Sequence, residues 1–267
     1  MDLERYAATD WRAMTYGRRW AFARIVMLLV AVAACTDNGV AWKEIRLDGR
    51  SLPRSVALGS VWPSAPGCAA SVRATRKGSQ LLAAWWAARR DSSSVLLVSQ
   101  SPDGGKTWTA PVVADSTDRS VKGCGRPPPS IAADSASGYV YLAYFAEPAS
   151  GRGIFFAHSM DSGRTFHAPV PIVFGDNAAW VSVSGAGDRV AVAYEDPNSL
   201  EPSVGVAVSR SMGHMFKPGE LVSSDNERAR QPTVQVAGDT VRVWWSDHSA
   251  DPRVSMTRPA YREGVWR

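Results

Sequence analysis

The sequence predicts an all-β protein, built as a β-propeller of four, and at most five, four-stranded antiparallel blades. Three observations predict it. Beyond residue 36 the chain is a succession of short runs rich in Val, Ala and aromatics, broken by Gly, Asp, Ser or Pro, which is the pattern of strands and turns. No stretch there holds a helical period of 3.6 over three turns. The runs also recur in groups of four, with Trp108, Phe166, Phe216 and Trp266 at matching places and intervals of 58, 50 and 50 residues. A sheet of four such strands cannot bury both faces alone, so successive copies stack around an axis and each covers its neighbour.

The units can be followed along the chain. The first begins near Cys68 with A-A-S-V-R-A-T, then Q-L-L-A-A-W-W-A, S-V-L-L-V-S-Q-S and T-W-T-A-P-V-V-A. A second follows Arg126 with P-S-I-A-A-D, G-Y-V-Y-L-A-Y-F-A, G-I-F-F-A-H-S and T-F-H-A-P-V-P-I. The third is W-V-S-V-S-G, D-R-V-A-V-A-Y-E, S-V-G-V-A-V-S and M-F-K-P-G-E-L-V. The fourth is P-T-V-Q-V-A, T-V-R-V-W-W, R-V-S-M-T and the terminal G-V-W-R. Trp42, in V-A-W-K-E-I-R-L, precedes Trp108 by 66 residues and suits an outer strand that closes the ring against the last blade. Residues 48–67 are rich in Pro and Ser and read as a connection.

Composition excludes several classes. With 21% charged residues, 45% hydrophobic residues and 22 Gly in 267, the chain is neither disordered nor collagen-like. A net charge of +5 is too dilute, and too free of like-charge blocks, to point to nucleic acid. The four His, at positions 158, 167, 214 and 248, show no ligand spacing, so neither a metal nor a cofactor is expected.

The N-terminus reads as an address. M-T-Y-G-R-R-W-A-F-A-R at 14–24 precedes the apolar run I-V-M-L-L-V-A-V-A-A at 25–34, with Met14 an alternative start. Ten residues are too few to cross a bilayer of roughly 30 Å at about 1.5 Å per residue, and suit a secretory signal. Val32-Ala33-Ala34-Cys35 resembles a bacterial lipobox, which implies cleavage after residue 34 and acylation of Cys35. The expected organisation is a signal peptide over 1–34, a lipid-anchored segment over 35–67 and the propeller over 68–267. In an oxidising compartment the remaining pair, Cys68 and Cys124, suggests one disulfide. Each lies just before an inner strand of successive units, so their Cα atoms can meet within the usual separation of about 4.4–6.8 Å.

Two segments identify a family. Ser101-Pro-Asp103-Gly-Gly105-Lys-Thr107-Trp108 and Ser159-Met-Asp161-Ser-Gly163-Arg-Thr165-Phe166 both fit S-x-D-x-G-x-T-W/F, and Ser209-Arg-Ser211-Met-Gly213-His-Met-Phe216 is a decayed third copy. The pattern resembles the Asp-box, or bacterial neuraminidase repeat, of sialidase-like propellers. There the box is scaffold, on the side away from the active site: Asp accepts amide bonds across a tight turn, Gly supplies unusual dihedrals and the aromatic ring is buried between sheets.

The same resemblance implies a site. Sialidases grip a carboxylate with three arginines and use an acid/base Asp and a Tyr nucleophile paired with Glu, an exception among glycosidases. Arg126-Pro127-Pro128 and Arg230-Gln231-Pro232 stand where the family's arginine tripeptide enters an inner strand. F-A-E at 145–147, followed by Gly151-Arg152, resembles the stretch after that tripeptide and puts Glu147 beside Arg126. The loop 148–153 lacks an Asp, leaving Asp247 or Asp251 as the carboxylate in another blade. Tyr194 and Glu195 are the candidate nucleophile and partner, although neighbours on a strand point to opposite faces unless a bulge intervenes. Trp85-Trp86 and Trp244-Trp245 recur at one repeat position, with one ring of each pair in the core and the other against the next blade or offered to a sugar.

Six blades of this size do not fit into the 233 residues from Cys35 onward. The favoured expectation is therefore an envelope-displayed, membrane-anchored propeller that binds or scaffolds, with glycans or another envelope protein as partner. The alternative is an exo-α-sialidase-type hydrolase acting on sialic acid or a related acidic sugar. A third is a part-propeller completed by oligomerisation.

Overall fold

A computed structural model describes residues 39–47, 67–224, 228–248 and 257–267; the signal, Cys35 and Asp251 lie outside them. Among the described residues are sixteen strands in four four-stranded antiparallel sheets, with one short 3-10 turn at Ala69–Ser71. Strand β1 is Val40–Trp42. The first blade follows with β2 (Arg73–Lys77), β3 (Gln80–Ala88), β4 (Ser94–Ser101) and β5 (Val112–Asp115). The second is β6 (Ser130–Ala133), β7 (Val140–Ala146), β8 (Gly153–Ser159) and β9 (Val170–Phe174). The third is β10 (Val181–Ala186), β11 (Arg189–Glu195), β12 (Val204–Ser209) and β13 (Glu220–Leu221). The fourth has β14 (Ala229–Ala237), β15 (Thr240–His248) and β16 (Thr257–Trp266), with β1 as its outermost strand.

The fourth blade departs from the sequence reading in one respect. Trp266 lies on the third strand of its blade, because G-V-W-R continues β16 and pairs with β15 through Val265 opposite Thr240. The fourth strand comes from the other end of the chain, with Val40 opposite Trp266 and Trp42 opposite Gly264. A long third strand leaves its outer edge open, and three residues from the start of the propeller cover it. The regular aromatic spacing concealed this, since Trp266 packs into the blade 3–blade 4 core as a strand residue while Phe166 and Phe216 lie in turns.

The core is a series of layers between blades, set by period-two alternation along the middle strands. Leu82, Ala84 and Trp86 of β3 meet Leu142, Tyr144 and Ala146 of β7. The opposite face of β7, with Tyr141, Ala143 and Phe145, packs on Val181, Val183, Val190 and Val192. Ala191, Ala193 and the valines of β12 pack on Val234, Val243 and Trp245. Every residue of β7, β8 and β12 is buried, as expected of strands sandwiched on both faces. Trp85, Trp86, Trp244 and Trp245 are all buried, so neither tryptophan pair offers a ring to a ligand.

The S-x-D-x-G-x-T turns join the third strand to the fourth. Ser101 Oγ donates to Asp103 Oδ1 (2.8 Å) and accepts from the Gly105 N–H (2.6 Å). Asp103 also accepts from the Thr107 N–H (2.9 Å) and from the Thr107 hydroxyl (2.7 Å). The second copy repeats each bond with Ser159, Asp161, Gly163 and Thr165. Gly105 and Gly163 hold φ of 103° and 87°, which other residues resist. In the third copy Ser211 Oγ still accepts the Met215 N–H (2.9 Å), so the turn survives the loss of its carboxylate.

Candidate functional site

Each inner strand begins at the same end of the propeller, and the loops joining second to third strands surround these beginnings. The strand ends that carry Glu147, Glu195 and Asp247 lie there too, opposite the S-x-D-x-G-x-T turns. Sequence reasoning therefore places its candidates on one face. The structure does not bring them into one pocket.

Arg126 is turned into its own loop. Its Nε is bonded to Asp118 Oδ2, Nη1 donates to Gly123 O (2.6 Å) and Nη2 to Ser120 O (2.6 Å). Both charged side chains are almost completely buried, and the guanidinium lies 5.9 Å from the centre of the Trp86 ring. Expected as a substrate ligand, Arg126 instead pins the 118–126 loop, whose Cys124 is disulfide-bonded to Cys68 with Cα atoms 5.2 Å apart. Glu147 pairs with Lys122 (2.5 Å) and Arg152 (3.4 Å) at the rim of that loop.

Tyr194 and Glu195 diverge, as strand alternation requires. The Tyr194 ring enters the blade 2–blade 3 core and lies against Gly205 and Gly219, where any Cβ would collide with it. Burial, and then the charge of Asp196, push its hydroxyl up to about 12. Glu195 faces blade 4 and accepts the Gln231 N–H (2.8 Å), where the β14–β15 register shifts between Arg230 and Thr233 and Gln231 takes φ of 54°. Glu195, Asp196, Ser199, Asn177 and exposed Arg230 line a cavity of about 260 Å³ between blades 3 and 4. On the next strand end, Asp247 Oδ1 is buried with no hydrogen-bond partner among the described residues.

A cavity of about 530 Å³ sits on the axis and is lined by residues from all four blades. Its walls are stitched by serines: Ser130 Oγ accepts the Val183 N–H and Ser182 Oγ accepts the Val234 N–H, each at 3.0 Å. Arg73, at the start of β2, reaches across to the third blade and stands 5.8 Å from the centre of the Trp180 ring. Its Nη1 donates to Val72 O (2.7 Å), and burial lowers the guanidinium below its ordinary value. Trp180 is 39% exposed, an aromatic surface presented to the cavity beside a cation. Sequence reasoning passed over both residues. Arg73 has no proline after it, and Trp180 stands alone rather than in a recurring pair; the signal available was their shared place at the start of inner strands.

No protein-family model and no curated protein sequence matches the chain. Solved structures do resemble it. The α-L-arabinofuranosidase of Fusarium graminearum, in complex with an iminosugar inhibitor, superposes with a TM-score of 0.51 at 16% identity over 73% of this chain and 62% of that one. The chain is a β-propeller of the fold that this glycosidase uses. The Hadza microbial sialidase Hz136 gives a TM-score of 0.48 at 16% identity over 67% of this chain, and the Cellvibrio cellulosa α-L-arabinanase with arabinohexaose gives 0.46 at 11% identity over 76%. The matched part is 42% of the sialidase and 62% of the arabinofuranosidase, less than two thirds of either.

Proposed function

We propose that the chain is a sialidase-like, Asp-box propeller that binds a carbohydrate at the axial cavity without cleaving it, as a module displayed on a cell envelope. The observation that carries this reading is the divergence of Tyr194 and Glu195. A Tyr nucleophile needs a carboxylate within hydrogen-bond reach and a hydroxyl open to substrate, whereas Tyr194 is packed in the core and Glu195 holds a backbone amide on the other side of the strand. Arg126, the best match to a family arginine, has its charge committed to Asp118. Binding has better support: an axial cavity within the range of about 300–1,000 Å³ typical of small-ligand sites, an exposed ring for stacking and, in Arg73, a cation suited to an acidic sugar.

Saturable binding of sialyllactose or an arabino-oligosaccharide to the full chain by calorimetry, weakened about tenfold or more by Trp180→Ala as for an interface aromatic, is the expected result. The hydrolase reading keeps one supporting observation, a buried oxygen of Asp247 that has no partner among the described residues. Turnover of a fluorogenic sialoside that is lost in Arg230→Ala and Asp247→Asn would replace binding by hydrolysis. Arg126→Ala is a poor probe, since it removes a loop anchor. Export and anchoring through Cys35 belong to the same proposal, and its test is mass spectrometry of the mature N-terminus, which should carry acyl groups on Cys35.

A further inference from the structure

Three of the four histidines meet at one point on the opposite end of the molecule. His158, near the end of β8, is 2% exposed, and its ring centre lies 4.5 Å from that of His167 and 4.6 Å from that of His214. His167 and His214 are 5.9 Å apart. The repeat produces the convergence: His167 follows the S-x-D-x-G-x-T turn of the second blade, and its N–H bonds His158 O (2.9 Å). His214 sits inside the corresponding turn of the third blade, which packs alongside through Phe216 on Phe156 (4.9 Å). One histidine is thus contributed from the neighbouring blade.

The buried ring is not satisfied by the protein. His158 Nε2 is inaccessible to solvent and has no hydrogen-bond partner among the described residues, an arrangement that buried polar groups rarely leave standing. The two rings nearest to it are imidazoles, both on exposed residues.

We infer that His158, His167 and His214 form a binding site for a late first-row divalent cation, Zn²⁺ above all, that staples the second blade to the third. Imidazole nitrogens are the preferred donors for such ions. Three rings each held at roughly 2.0–2.1 Å from one tetrahedral ion place their centres about 5 Å apart, and these rings are separated by 4.5–5.9 Å. As they stand, two rings are stacked and the third is edge-on, so they do not yet make a three-donor set. Closing on an ion requires His167 and His214 to change rotamer, which exposed side chains do at little cost, while His158 stays fixed on Phe156 (5.8 Å).

The test is Zn²⁺ titration of the untagged full chain, read by calorimetry and by the thermal midpoint, with Co²⁺ substitution as a spectroscopic check. One equivalent is expected to bind and to raise the midpoint. His214→Ala and His167→Ala change exposed side chains that the fold does not need, and each should weaken binding by at least about tenfold, no less than loss of an outer-shell partner would. In both variants the midpoint should no longer respond to Zn²⁺. Absence of stoichiometric binding, or affinity unchanged in the His167→Ala/His214→Ala double variant, overturns the inference.

Discussion

At the scale of single residues, the S-x-D-x-G-x-T turns show how one carboxylate organises a reversal of the chain. The Thr107 hydroxyl and amide, with Ser101, hold Asp103 down to about 2. Asp161 is lower still: burial opposes ionisation, but Thr165 and Ser159 outweigh it. A carboxyl depressed by folding contributes stability that is complete above its unfolded value near 3.8 and is lost as pH falls through the folded one. An Asp103→Asn/Asp161→Asn variant is therefore expected to be less stable than the wild type at pH 5. The gap should narrow between pH 4 and pH 2, as read from denaturation midpoints at each pH. These turns were legible in the sequence because every bond in them lies within six residues. The bonding of Arg126 was hidden for the opposite reason. Its fate is decided by Asp118, Ser120 and Gly123, three residues of an irregular loop that no periodicity marks.

Between elements, the same distinction separates what could be read from what could not. Strand composition and the repeat gave the blades, since alternation along β3, β7 and β11 follows from which residues are apolar. Contacts between blades depend on register across separate sheets, and there the histidine cluster and the Arg73–Trp180 pair went unseen. Two measurements probe those seams. Gly213 has φ of 90°, and a Cβ there would lie 2.2 Å from the Phe156 ring. Gly213→Ala should cost about 1–3 kcal/mol, the range for overpacking, with the lost backbone freedom adding to it. The loop anchor makes a sharper case. Removing one partner of a buried ion pair leaves the other uncompensated, at about 3–5 kcal/mol. Arg126→Ala should lose that much in equilibrium denaturation, and Arg126→Met/Asp118→Leu should recover most of it because no charge is then stranded.

For the whole molecule, the decisive feature is that the last blade is finished by the first strand. Residues far apart in sequence then become neighbours: Lys43 Nζ pairs with Glu263 (2.6 Å), Arg262 Nε donates to Lys43 O (2.8 Å), and the Trp42 indole N–H is bonded to Glu220 of the third blade. Without β1, the outer edge of β16 would expose a row of unpaired amides and carbonyls, the usual starting point for edge-to-edge association. The junction depends on close approach at Gly264, where a Cβ would stand 2.2 Å from Val40 Cγ1 and 2.8 Å from Trp42 Cε3. Gly264→Leu should therefore displace β1 while leaving the first three blades paired. Hydrogen exchange would then accelerate at residues 40–43 and 264–266 and stay slow in β7 and β11, and light scattering would detect oligomers that the wild type does not form. If exchange instead accelerates uniformly, the four blades unfold as one cooperative unit and the closing strand holds the entire propeller.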